Sequence, residues 1–130
     1  MDNYMTNLGL NTQEYCFQDV LSTDTWALDL IPSPVYGILM VYPIKESSEQ
    51  YREEEEQRIQ ESGQEEISSQ VYFMKQTVGN ACGTVGLLHC IGNIDPQETR
   101  NEMIAKGSYL ERFYEMTSAL TPEEIAQVRD

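Results

Sequence analysis

Positive charge is what this sequence has least of. Eight lysines and arginines face 22 acids across 130 residues, a net of −14 with the single histidine neutral. A chain so poor in cations lacks the basic face that nucleic acid requires, which weighs against nucleic-acid binding. The acidic balance suits a cationic partner, at least through long-range steering. Half of the excess is local: residues 46–66 carry nine acids against two arginines, a net of −7. Such a run reads as a solvated surface segment. Cysteine is scarce as well. Cys16, Cys82 and Cys90 are odd in number and match no zinc-site spacing, so reduced thiols are expected rather than a secreted disulfide scaffold. No apolar stretch is long enough to span a membrane. The opening MDNYMTNLGL has no basic region before an apolar core, so no signal peptide is expected. The expectation is a soluble, cytoplasmic monomer with no membrane or nucleic-acid partner. There are no internal repeats. The glycines around Cys82 lack the GK[ST] ending of a phosphate loop, and Glu53 to Glu56 match no EF-hand loop, so no metal or cofactor is expected.

What is present is enough apolar residue, 40%, to build a core. Residues 4–10 read as a short helix ending near Gly9, and Tyr15–Val20 is ambiguous. Thr25–Ile31 has apolar positions at helical spacing and stops before Pro32. Val35–Tyr42 is a nearly continuous apolar run between Pro34 and Pro43, the pattern of a strand buried on both faces. Residues 49–62 favour a helix with only Tyr51 and Ile59 to bury, ended by Gly63. Val71–Met74 is a possible strand or buried extended segment. A loop then leads to a helix from about Cys82 to Ile91, apolar over so wide an arc that it should be central. Ser108 with Glu111, and Thr121 with Pro122 and Glu124, are capping boxes that open two further helices. The last has only begun to bury Ile125 and Val128 when the sequence stops at Asp130, and it looks interrupted. One interior strand cannot make a sheet. Either its partners are missing, or the ambiguous segments are strands.

Cys82 stands where a reactive thiol would be placed. It follows the small, flexible Gly79-Asn80-Ala81 and opens a buried helix. A helix N-terminus concentrates N–H groups and positive potential, which favours a thiolate there. The same N–H groups can hold a developing oxyanion, and Gln76 could supply a second donor. A small core cysteine is the plainer alternative. A cysteine nucleophile needs a base within reach. His89 lies seven residues on along the same helix, about 10 Å up the axis, so packing or surface exposure is its expected role. Cys90 reads as core, and Cys16 has no evident partner.

The string Val71-Tyr72-Phe73-Met74-Lys75-Gln76-Thr77-Val78-Gly79-Asn80-Ala81-Cys82-Gly83-Thr84-Val85-Gly86-Leu87-Leu88-His89 resembles the active-site segment of the small ubiquitin carboxyl-terminal hydrolases. Its Q-T-x-x-N-x-C-G-T core is very specific. Pro32-Ser33-Pro34-Val35, the Tyr51–Glu56 run and Gly107-Ser108 through Glu124 follow the same family order, and the likeness begins near Asn7-Leu8-Gly9-Leu10. The resemblance implies an α/β (α+β) papain-like cysteine peptidase fold, with helices flanking a central antiparallel sheet. It implies hydrolysis at the C-terminal glycine of ubiquitin through a thioester, with small or unstructured leaving groups preferred. By matching position, Cys82 would be the nucleophile and Gln76 the oxyanion-stabilising side chain, assisted by the Cys82 N–H. Asp19, in Phe17-Gln18-Asp19-Val20, would contact ubiquitin's basic tail.

The departure is large. The family's catalytic histidine and aspartate, its crossover loop and most of its strands would fall after Asp130. Residues 1–130 then read as the N-terminal part of one catalytic domain, its sheet incomplete. The expectation is a deubiquitinating thiol protease by family whose 130 residues alone do not turn over. The alternative is a non-catalytic ubiquitin-binding or interaction fragment. A third possibility is a chain that does not fold stably alone, since an unpartnered apolar strand invites aggregation.

Overall fold

The computed structural model describes residues 1–128 as seven helices with connecting segments. They are α1 (Asp2–Leu8), α2 (Thr25–Leu28), α3 (Glu46–Ser62), α4 (Cys82–Gly92), α5 (Gln97–Met103), α6 (Tyr109–Thr117) and α7 (Pro122–Ile125). The chain divides into two units. One comprises Met1–Ile38 and the chain from Tyr72 onward; the other, Leu39–Val71, contains α3.

In the first unit α4 is the central element, as its wide apolar arc predicts. Leu87, Leu88, Ile91 and Gly92 are all buried. Around them pack Met5 from α1, Leu10, Ile94, Met103 and Ile104, and Leu110 and Tyr114 from α6. Local chemistry sets the helix ends. Gly9 closes α1 at φ 106°, in the left-handed region that glycine adopts without penalty. Ser108 Oγ accepts from the Glu111 N–H at 3.2 Å and opens α6. The Glu111 carboxylate returns to the N–H of Gly107 at 2.5 Å, one residue earlier than a reciprocal capping box requires. At α7 the box is complete: Glu124 N–H donates to Thr121 Oγ1 at 3.3 Å, and Thr121 N–H to Glu124 Oε2 at 2.8 Å. The bond from the Thr121 backbone N–H, and after it the Thr121 side chain, hold the Glu124 carboxyl below its ordinary range. α7 ends at Ile125, which is buried; Asp130, where the sequence suggests an interrupted helix, lies outside the described residues.

α5 was not foreseen. Its signals, Pro96 just before the first turn and Glu98 within it, are modest. Its end turns into an antiparallel bridge between Leu10 and Ile104, with Asn11 N–H donating to the Met103 carbonyl at 2.8 Å and Ala105 N–H to that of Gly9 at 2.7 Å. α2 stops at Leu28, shorter than the 25–31 expected, and a single turn carries the chain on.

The expectation of a strand over Val35–Tyr42, buried on both faces, is overturned. These residues form no strand, and Ile38 is 80% exposed, Met40 78% and Val41 97%. A strand exists only by pairing, and no neighbouring strand is present among the described residues, so the apolar pattern has nothing to bury against. The central antiparallel sheet implied by the resemblance likewise has no strand among the described residues. Tyr36 still finds a partner, edge-on to Tyr15 at 5.9 Å.

In the second unit α3 begins at Glu46, three residues before the expected start, because Ser48 Oγ accepts from the Lys45 N–H at 3.0 Å. None of its residues is buried. Exposed pairs one turn apart, Arg52–Glu49 at 2.9 Å and Arg58–Glu55 at 2.6 Å, add weak, salt-screened support. Among the described residues no helix is long and apolar enough to cross a membrane.

Candidate active site

Cys82 is the first residue of α4; it is exposed and its thiol is free. No side chain caps this helix start. The first ladder bond is Val85 N–H to the Ala81 carbonyl at 2.9 Å. The N–H groups of Cys82, Gly83 and Thr84 precede it and make no hydrogen bond among the described residues. Free N–H groups beside an exposed thiol are what a tetrahedral oxyanion needs. Ala81 caps the helix in a non-helical conformation, and Asn80 before it sits at φ 59°, a left-handed position that asparagine tolerates. Gly83 has open space around its α-carbon. Thr84 Oγ1 and the Tyr4 hydroxyl, 3.1 Å apart, tie α1 to this turn.

Gln76 lies exposed in the preceding loop. Its Nε2 donates to the Val78 carbonyl at 2.9 Å. Gln76 and Cys82 share no hydrogen bond. Asp19 is exposed on the segment after Tyr15, and it too makes no hydrogen bond among the described residues. Cys90 is half-buried and its thiol lies against the α-carbon of Gly37; burial pushes its pKa up. Cys16 is exposed, and Gln18 Nε2 approaches its sulfur at 3.4 Å.

His89 is a packing residue, as its distance from Cys82 requires. Its ring stacks on Phe73 at 4.9 Å. Its Nε2 lies 3.1 Å from the Met74 nitrogen and 3.2 Å from the Met74 carbonyl oxygen, the tautomer deciding which bond is made. One turn on, Asn93 grips the Tyr72 backbone with both ends of its amide. Asn93 Oδ1 accepts from the Tyr72 N–H at 2.8 Å, and Nδ2 donates at 2.8 Å to the Tyr72 carbonyl and at 2.8 Å to that of His89. The sequence reading did not single out Asn93. Its only signal was an amide four residues after His89 on the same helix face.

The segment 72–77 is gripped on its other edge as well. Lys75 N–H donates to the Pro122 carbonyl at 3.2 Å, Lys75 Nζ pairs with Glu123 at 3.2 Å, and Thr77 Oγ1 donates to the Ala126 carbonyl at 3.3 Å. The possible strand at 71–74 is therefore extended chain whose partners are side chains and helix ends, not another strand.

A buried network holds the far end of α4. The Tyr114 hydroxyl donates to the Leu88 carbonyl at 2.8 Å, and Arg100 Nη1 to that of Gly92 at 3.2 Å. The Arg100 guanidinium lies over the Tyr114 ring at 5.5 Å. The arrangement presents one exposed thiol on a rigid, buried helix, with unpaired N–H groups around it and an amide side chain in the loop before it. That is equipment for attack on a carbonyl. No general base is hydrogen-bonded to the thiol.

The family model for ubiquitin carboxyl-terminal hydrolase, family 1, matches residues 1–130. Ubiquitin carboxyl-terminal hydrolase 3 of Arabidopsis thaliana is 45% identical over 127 residues, covering 98% of this chain and 51% of that protein. Ubiquitin carboxyl-terminal hydrolase isozyme L1 is 35% identical in Rattus norvegicus and 33% in Homo sapiens, each over 127 residues, 98% of this chain and 53% of the relative. The chain thus spans about half the length of the curated relatives it matches. With the Q-T-x-x-N-x-C-G-T signature placed at the head of a buried helix and a family match running its full length, the chain belongs to ubiquitin carboxyl-terminal hydrolase family 1.

Proposed function

We propose that these residues carry the nucleophile half of a deubiquitinating thiol protease. Cys82 attacks the carbonyl of ubiquitin's last glycine and forms a thioester. The oxyanion is held by the free N–H groups of the first turn of α4 and by Gln76, once its amide turns from Val78. Asp19 contacts the basic tail of ubiquitin, and the acidic balance of the chain steers it. The observation that carries this reading is the exposed thiol of Cys82 beside three unpaired N–H groups at the head of a buried helix. Residues 1–130 are the N-terminal part of one catalytic domain, and the catalytic histidine and aspartate belong to sequence beyond them. The 130 residues alone do not turn over, because nothing in them deprotonates the thiol or protonates an amine leaving group. The substrates are small ubiquitin adducts, the enzyme acts as a monomer in the cytoplasm, and no cofactor takes part.

The test is ubiquitin bearing a cysteine-reactive C-terminal group, mixed with the purified chain and followed by intact mass. One adduct, mapped to Cys82 and absent from Cys82→Ala, is expected, with no release of ubiquitin from a small amide adduct. Labelling at Cys16 or Cys90, or robust turnover by the 130 residues, overturns the reading.

A further inference from the structure

We infer that His89 and Asn93 are positioning residues: their side chains form a two-rung ladder that sets the register of the Gln76 loop on the Cys82 helix. The inference rests on the roles proposed for Cys82 and Gln76. Asn93 offers one acceptor and one donor to Tyr72, and His89 makes one bond to the Met74 backbone through Nε2, accepting from its N–H or donating to its carbonyl according to the tautomer. Tyr72 and Met74 are alternate residues of extended chain, so their N–H and C=O groups face the same side. His89 and Asn93 are one turn apart, so they share a face of α4. The pairing runs antiparallel, His89 with Met74 and Asn93 with Tyr72. The chain leaving Met74 therefore heads toward the N-terminal end of α4, where Cys82 sits. Gln76 is two residues beyond the last rung.

The outer clamp makes the same assignment. Lys75 and Thr77, the residues of opposite facing, bond to the Pro122 and Ala126 carbonyls around α7. Gln76 enters its loop from a segment held on both edges. Its backbone is fixed relative to Cys82, although its side chain is exposed and free to turn. Neither Asn93 nor His89 touches the thiol; they act through the placement of Gln76.

The test uses a ubiquitin C-terminal thioester of a small mercaptan as probe. The Cys82 thiol gives its proton to buffer, its sulfur bonds to the glycine carbonyl carbon, the old C–S bond breaks, and the mercaptan leaves as thiolate and takes its proton from buffer, so no histidine is needed to protonate it. The rate of loading reads the oxyanion site; the rate of iodoacetamide alkylation of Cys82 reads the thiol alone. Gln76→Ala and Asn93→Ala are each expected to slow loading about tenfold or more, and the double variant no further than Gln76→Ala. His89→Ala slows loading likewise, and His89→Gln, whose amide keeps a donor and an acceptor, restores it. Alkylation stays within about twofold throughout, since the helix start is untouched. Amide exchange is expected to show Tyr72 and Met74 protected and Phe73 not, with the Tyr72 protection lost in Asn93→Ala. Slowings that multiply in the double variant overturn the inference and mark a merely structural role. So does unchanged loading in Asn93→Ala once those amides exchange freely. A wild-type chain that alkylates normally but never loads overturns the proposed function, and this inference with it. If circular dichroism shows Asn93→Ala unfolded, Asn93→Asp, which keeps the acceptor and loses the donor, makes the same comparison.

Discussion

Tyr114 concentrates the residue-scale energetics of the core. Its hydroxyl is buried and bonded to the Leu88 carbonyl, and its ring meets Tyr72 at 5.2 Å and the Arg100 guanidinium. Tyr114→Phe leaves that carbonyl without its side-chain donor and should cost about 1 kcal/mol, read as a lower urea midpoint at unchanged slope. Burial drives the Tyr114 pKa far above its ordinary 10.0, and that of Tyr72 upward in the same direction. The unfolded chain then releases these protons before the folded chain does. Stability is therefore whole below pH 10 and declines as the pH climbs beyond it. Tyr114→Phe should flatten that alkaline decline, which melting temperatures across the range would show. Asp19 makes a different prediction. It is exposed, and if it meets the basic tail of ubiquitin as proposed, its change to Asn should slow thioester loading a few-fold at low ionic strength, and the difference should vanish in high salt while alkylation of Cys82 stays constant.

At the scale of elements, the helix ends that carry a cap were legible because caps are made from neighbouring residues, while α5 and the early end of α2, which no side chain caps, were not. Gly9, Ser108 and Thr121 each end or open a helix with bonds spanning a few positions. Thr121→Ala should accordingly cost about 1 kcal/mol through loss of the cap, measurable by thermal melting. The strand expected at Val35–Tyr42 is absent for the converse reason: a strand's identity depends on what lies alongside, and nothing along its own length says whether a partner is there. The candidate site divides likewise. That Cys82 heads a helix was readable from its loop-to-helix position, though its role came only with the family resemblance; Asn93 meets Tyr72 across 21 residues, a pairing no local pattern announces. The close approach of α4 to this segment shows at Gly92. A methyl group there would lie 2.5 Å from Tyr72 Cδ1 and 3.2 Å from Tyr114 Cε1. Gly92→Ala should destabilise by about 1–3 kcal/mol through overpacking and should loosen the Tyr72 amide in hydrogen exchange.

At the scale of the whole molecule, two surface properties oppose each other. A net charge of −14 keeps copies apart, while the exposed apolar residues from Val35 to Ile44 favour association. Salt weakens the first and leaves the second. Sedimentation velocity should show self-association growing with ionic strength, and Ile38→Lys with Val41→Lys should suppress it.

The ladder on α4 depends on a coincidence of two rulers. Four residues of helix advance about 6 Å, and two residues of extended chain advance about 6.6 Å. His89 and Asn93 are four apart, and Met74 and Tyr72 are two apart, so a helix can present polar groups at the spacing a neighbouring strand would use. The next mark on the helical ruler is Val85, whose side chain can neither donate nor accept. The coincidence ends there, and the matching mark on the extended chain is Gln76, the first side chain left free to make a bond of its own. Removing or adding one residue between Tyr72 and Met74, or between His89 and Asn93, would leave at most one rung in step.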